Sequence, residues 1–328
     1  MYITFFGLRE KPFGTTPDPR FLYLTPGHRE ALAQLVYGVE EGAGFVVLTG
    51  EVGTGKTTLV QALCRRLDSR TAAAVVVNST LAFDELLECA LQDFGIKGNS
   101  ATHSQRLMAL KEFLVSREKA DERAVLILDE AQNLSVATLE GIRLLTNFET
   151  PTRKLLQVIL VGQPEFAAKL ALPELRQLRQ RVSIRCRIGS LTRAETGLYI
   201  RSRLRVAGAS DAQLFTDRAI KLIAAASGGV PRVVNRICDH CLLIGYAEQR
   251  RRIDERIVRQ ALAYVEDGRS WRSWLPAVRG PRVRRWLTAM GALGLAGGAA
   301  LMTLGPAGTE PLHHLLTLVR SARGLLVP

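Results

Sequence analysis

The eight residues Gly50-Glu51-Val52-Gly53-Thr54-Gly55-Lys56-Thr57 satisfy the pattern GxxxxGK[ST] in full, and that pattern demands a strand leading into the loop and a helix leading out. Both are written in the flanks. Phe45-Val46-Val47-Leu48-Thr49 is a short apolar run, and Thr57 to Leu67 puts Leu59, Leu63 and Leu67 on one helical face. Glycines let the backbone curl until successive N–H groups face one point, and the following helix adds its positive N-terminal end, so such a loop is built for phosphate. The expected nucleotide set is this octet together with Thr58. Lys56 is expected to neutralise the β- and γ-phosphates of a nucleoside triphosphate, and Thr57 to hold Mg²⁺ through its hydroxyl.

A second apolar run, Ala124 to Leu128, ends in Asp129-Glu130. Acids at the carboxyl end of a strand beside a phosphate loop suit two tasks: Asp129 would orient Mg²⁺ through water, and Glu130 would polarise the attacking water. Leu155 to Val161 reads as the next strand and delivers Gln163 to the same edge. Gln163 would either contact the γ-phosphate or attacking water, or cap the helix that follows it. Further strands are expected at Ala73–Asn78 and Val182–Ile188, and helices at Gly27–Glu41, Phe83–Phe94 and Ser104–Arg117. Strands alternating with helices imply right-handed crossovers and a largely parallel sheet. From Leu191 the pattern turns helical, at Arg193–Ala207, Thr216–Ala226, Val230–Ala247 and Glu255–Glu266. The fold class is thus α/β: a P-loop NTPase core with a largely parallel sheet, followed by an all-helical segment.

With 328 residues, 47% of them apolar, the chain has enough material for about two cored domains, which excludes a disordered protein. Its net charge of +13 is uneven. Residues 1–175 hold 18 Lys/Arg against 21 Asp/Glu, whereas residues 176–285 hold 24 against 9. So basic a segment suits nucleic acid, an anionic membrane surface or acidic faces of neighbouring subunits. Five cysteines without framework spacing argue against a disulfide-stabilised secreted protein. Cys238 and Cys241 form a lone CxxC inside a helical pattern, without the second ligand pair a zinc site needs. Cys64, Cys89 and Cys186 read as small core hydrophobes.

Residues 1–26 are rich in aromatics and prolines and read as an irregular segment packed on the core, with no signal peptide. Trp286 to Thr309 carries no charged side chain. As a helix, the stretch before Gly305-Pro306 would rise about 28 Å, close to the hydrocarbon thickness of a bilayer. Arg279, Arg282, Arg284 and Arg285 precede it, which by the positive-inside rule leaves the nucleotide domain in the cytoplasm. A buried Gly/Ala-rich helix of a soluble domain is the alternative. The boundaries expected are 1–26, the N-terminal segment; 27–190, the nucleotide-binding core; 191–267, the lid; 268–285, a basic linker; 286–306, the transmembrane helix; and 307–328, a short periplasmic tail.

The P-loop, LILDEAQ at 126–132, VGQPE at 161–165, LRQLRQR at 175–181 and GGVPR at 228–232 together resemble AAA+ ATPases. More narrowly they are similar to the ExeA/GspA-type group of bacterial secretion systems, as is the opening MYITFFGLREKPFGTTPDPRFLYLTPGHREAL. The resemblance covers residues 1–267. It implies an αβα nucleotide core with a parallel sheet and a C-terminal helical lid, followed here by the one expected transmembrane helix, and with them hydrolysis of ATP to ADP and phosphate, a homo-oligomer, and inner-membrane export or polysaccharide-assembly proteins as partners. It also implies that Arg232 is the lid arginine that senses bound nucleotide and that Arg181 is the arginine finger acting across a subunit boundary, with Arg176 and Arg179 as rivals. A planar guanidinium suits both roles because it reaches several phosphate oxygens at once. Longer members carry a peptidoglycan-binding module after the membrane segment, and here 310–328 is all that follows, as in the short forms found with exopolysaccharide and exosortase loci. Two functions compete: a membrane-anchored ATPase of an envelope export system, and a DNA-binding ATPase similar to transposition target-selection proteins, for which the basic lid would bind phosphates.

Overall fold

A computed structural model of the chain describes residues 1–14, 18–77, 80–96, 102–151, 153–210 and 213–267. Along them run α1 (Tyr2–Phe5), α2 (Pro26–Glu40), β1 (Phe45–Gly50), α3 (Lys56–Arg66), β2 (Thr71–Val76), α4 (Phe83–Asp93), α5 (His103–Lys119), β3 (Arg123–Leu128), α6 (Val136–Leu145) and β4 (Gln157–Gly162). There follow α7 (Pro164–Leu170), α8 (Arg176–Arg181), β5 (Val182–Ile188), α9 (Arg193–Val206), α10 (Asp217–Ser227), α11 (Pro231–Ala247) and α12 (Glu255–Asp267). Helix α6 was not foreseen, although Ser135 caps it by accepting from Thr138 N–H at 3.0 Å.

Every strand pairing is parallel, in the spatial order β2-β3-β4-β1-β5. Parallel neighbours need a crossover, and the helices supply it on both faces. Because both faces are covered, β1 and β4 read as apolar runs rather than as alternating ones. The period of two survives in which layer each side chain joins. Leu126, Leu128, Val158 and Leu160 pack with α4 to α8, while Val125, Ile127, Ile159 and Val161 pack with α2 and α3. With one direction shared, the carboxyl ends of the strands form a single edge. Thr49 pairs with Gly162 across β1 and β4, and Leu128 with Leu160 across β3 and β4, so the loops leaving these three strands are neighbours.

Helices α9 to α12 build the lid around a separate core. Leu22 and Leu24 pack against the layer formed by α2, α3 and the sheet, whereas most of the N-terminal segment joins the lid core. Tyr2, Phe6, Leu8, Phe13 and Phe21 are all buried there beside Ile200, Ile237 and Ile257. Polar ties follow the same path: Tyr2 OH donates to Asp239 Oδ1 at 2.5 Å, Arg9 N–H to Ala207 O at 2.8 Å and Arg203 Nε to Pro12 O at 2.6 Å. The physical reason is size, since so small a bundle buries too little apolar surface by itself and the aromatic strap completes it. Cys238 and Cys241 lie in this core fully buried, and burial pushes both thiols up. Among the described residues no helix is long and apolar enough to cross a membrane. The expected linker, membrane segment and tail at 268–285, 286–306 and 307–328 lie outside the described residues.

Candidate nucleotide site

Where β1 ends, the chain makes the curl that the motif requires. Gly55 has φ +104° and Gly53 φ +79°, conformations that side chains with a Cβ rarely adopt. A Cβ on Gly53 would also stand 2.7 Å from Cβ of Arg232, because the lid reaches the loop at this point. Lys56 opens α3 at 6% exposure, and its Nζ donates to Gly50 O at 2.8 Å and Glu51 O at 3.1 Å. Two of its three N–H donors are thus committed to the loop's own carbonyls, which pins the ammonium inside the curl. Thr54 is fully buried and its hydroxyl donates to Glu51 O at 2.8 Å, while Glu51 and Val52 face outward.

A cleft of about 350 Å³ opens above the loop, lined by Val52 to Thr58 and Glu130 on one side and by lid and strap residues on the other. On its floor the Thr57 hydroxyl donates to Asp129 Oδ2 at 2.8 Å, across 72 residues of sequence. Asp129, 2% exposed, also accepts from Glu130 N–H at 2.9 Å. A hydroxyl beside a carboxylate is a hard oxygen set of the kind Mg²⁺ prefers, so these residues fit that ion. Glu130 has φ +55°, an uncommon backbone conformation for a glutamate and one that clusters at functional positions. Its Oε2 accepts from Gln132 Nε2 at 2.5 Å and from Gln163 Nε2 at 3.1 Å. Partial burial acts to raise its pKa, but the two amide hydrogen bonds and the charge on Lys56 outweigh it, so the carboxyl is held below its usual value.

Gln163 is the N-cap residue of α7 yet makes no side-chain cap bond; its amide faces Glu130 instead. Arg232, in the first turn of α11, lines the cleft, and its backbone N–H donates to Gly53 O at 3.3 Å. Arg181 is not among the residues that line the cleft of its own chain. Its Nη1 reaches the end of α6, donating to Asn147 Oδ1 at 2.6 Å, Thr146 Oγ1 at 3.1 Å and Arg143 O at 3.3 Å. A cation at a helix C-terminus is favoured by the exposed carbonyls there. Arg176 and Arg179 of the same helix are exposed.

Several residues of the site carry no motif that would have singled them out. His28, 6% exposed, sets Nε2 at 3.1 Å from Thr54 O and Nδ1 at 2.6 Å from Thr25 Oγ1. A carbonyl can only accept, so Nε2 carries the proton and Nδ1 accepts from the threonine hydroxyl. Across the cleft, Arg203 stacks over Phe21 at 4.7 Å and donates to Tyr199 OH at 3.0 Å, which in turn donates to Asn235 Oδ1 at 2.9 Å. Burial is the main cause that raises the Tyr199 pKa. The helical period marks these positions as lid core, and nothing local shows that the strap turns them toward the cleft.

Residues 39–170 match the AAA domain family. The chain is 40% identical over 279 residues to general secretion pathway protein A of Aeromonas hydrophila, an alignment that takes in 84% of this chain and 51% of that protein. It therefore spans about half the length of the curated relative it matches. Among solved structures it is similar to Cdc6p from Pyrobaculum aerophilum, at 18% identity and a TM-score of 0.60 over 80% of this chain and 74% of that one. It is also similar to the ORC2 protein of Aeropyrum pernix in its ADPNP-ADP complexes, at 19% identity and a TM-score of 0.58 over 74% of this chain and 71% of that one. At such identities the likeness is one of fold. Residues 39–170 thus carry an AAA domain, within a chain that is similar to general secretion pathway protein A over 84% of its length.

Proposed function

We propose that the chain binds MgATP in this cleft and hydrolyses it to ADP and phosphate, as a membrane-anchored, oligomeric ATPase that drives or regulates assembly of a bacterial envelope export system. The observation that carries the chemistry is the 2.8 Å bond from Thr57 to Asp129, with Glu130 next in the chain and facing the same cleft. Lys56 and the loop N–H groups would bind the β- and γ-phosphates, and Thr57 and Asp129 would hold Mg²⁺, which supplies neutralisation of the phosphate charge. Glu130, ionised at neutral pH, would take the proton of the attacking water. Arg232 would meet the phosphates from the lid, and Arg181, Arg179 or Arg176 would reach the cleft of a neighbouring subunit.

Export is favoured by the relationship to general secretion pathway protein A. The expected anchor at 286–306, with the ATPase domain on the cytoplasmic side of the inner membrane, favours it too. The competing reading is a DNA-binding ATPase, supported by exposed Arg250, Arg251, Arg252, Arg256 and Arg259 on the lid. Two experiments test the proposal. Turnover of Mg-ATP by purified protein should fall steeply to a small residual rate in Glu130→Gln while nucleotide binding remains; wild-type turnover in that variant refutes the hydrolytic role. Protein that stays in the membrane pellet through alkaline extraction supports the anchor, and soluble protein retained on DNA supports the rival.

A further inference from the structure

Glu130 does not stand alone at the end of β3. The residue that holds it most closely is Gln132, in the short turn Ala131–Asn133 that follows. Gln132 bonds in two directions: Nε2 donates to Glu130 Oε2 at 2.5 Å, and Oε1 accepts from the backbone N–H of Gln163 at 3.1 Å. Chemistry fixes which end of the amide faces which partner. A backbone N–H can only donate, so it meets the oxygen, and the nitrogen is left for the carboxylate. The turn itself is clamped from behind, where Lys169 Nζ donates to Gln132 O at 2.7 Å and to Leu134 O at 2.6 Å. Gly162 makes room for the amide, since a Cβ there would stand 3.1 Å from Gln132 Oε1 and 3.0 Å from Cβ of Phe166.

We propose that Gln132 is a positioning residue for hydrolysis: it holds Glu130 in the orientation from which the carboxylate activates water, and ties that orientation to the start of α7. Resting on the ATPase reading above, the assignment adds a residue that the phosphate and metal contacts leave out. Both amides converge on Oε2, so Oε1 is the oxygen that takes the proton. Gln163 approaches the same oxygen at 3.1 Å, and its backbone is Gln132's other partner, so the two glutamines and Glu130 form one closed set of contacts. A network closed in this way aims a side chain only while each member is satisfied.

The test uses the full chain, a fluorescent ATP analogue with Mg²⁺ for affinity, and steady-state turnover. Gln132→Met keeps the length of the side chain and removes both polar ends. Its kcat should fall about tenfold to a hundredfold, the value of a hydrogen bond to a charged group, while the analogue binds within about twofold of wild type. Gln132→Glu keeps an acceptor for Gln163 N–H but sets a carboxylate against Glu130, so its kcat should fall at least as far. Placed in a Glu130→Gln background, Gln132→Met should change turnover no further, because its effect passes through Glu130. Wild-type kcat in Gln132→Met, equal losses in kcat and affinity, or additive losses in the double variant each overturn the proposal while leaving Glu130's own role standing. A wild-type turnover that Glu130→Gln does not reduce overturns the reading of Glu130 itself, and the proposal with it.

Discussion

Replacing His28 by alanine removes the side chain that holds the phosphate loop from behind. The imidazole bridges Thr25 Oγ1 at 2.6 Å and Thr54 O at 3.1 Å, and a Cβ on Gly55 would stand 3.6 Å from Nε2, so the ring lies directly against the loop. Thr54 is fully buried, and leaving its carbonyl without the imidazole donor costs about 1–3 kcal/mol. That cost divides between two measurements. The share common to the free and nucleotide-bound protein lowers Tm, by about 2–4 °C per kcal/mol. The share specific to the bound loop, whose N–H groups must all face the phosphates, weakens affinity, and about 1.4 kcal/mol of it is tenfold in Kd. Titration of a fluorescent ATP analogue against wild type, His28→Ala and His28→Gln, with a melting curve for each, separates the two. The expected result is a Kd raised about tenfold in His28→Ala and largely restored in His28→Gln, whose amide offers a donor and an acceptor. An alanine variant that melts lower but binds with wild-type affinity would show that the clamp serves stability alone, and the reasoning would be refuted.

Lys56→Ala should abolish tight nucleotide binding, which isothermal titration with Mg-ATP would reveal; retained affinity would take the ammonium out of the phosphate site. Arg181→Ala should spare binding and depress turnover only in the assembled state, by about 10³–10⁵ if it acts as a finger; a monomer with full activity, compared at matched concentrations, removes the intersubunit role. Cutting away residues 1–24 should destabilise the lid, because burial of Phe6, Phe13 and Phe21 is lost and each is worth about 3–5 kcal/mol; hydrogen exchange confined to α9–α12 would report it, and unchanged protection would refute the strap's role. Cys238 and Cys241 should resist a thiol reagent in the native protein and react on unfolding, since burial both shields them and disfavours their thiolates; fast native labelling at either position would contradict the core packing.

What the sequence determined by itself is what nearby residues decide. The loop's glycines, Lys56 and Thr57 sit within eight consecutive positions, and an apolar strand ending in Asp129-Glu130 is likewise contiguous. Helical period alone places α9 to α12 within a residue or two of their observed bounds, because each buries one apolar face, and Thr192 and Thr216 cap the starts of α9 and α10. What only tertiary structure decided lies between residues far apart in the chain. His28 meets Thr54 across 26 positions, Gln132 and Glu130 meet Gln163 across 31 and 33, and Arg203 and Asp239 meet the N-terminal strap across 191 and 237. Aromatic and proline content shows that residues 1–26 need an apolar partner but not which one, and Arg181's pairing with the end of α6 leaves no local trace. A polar side chain's partner is set by where the parallel sheet and the lid bring distant backbone together, and no periodicity within a segment encodes that.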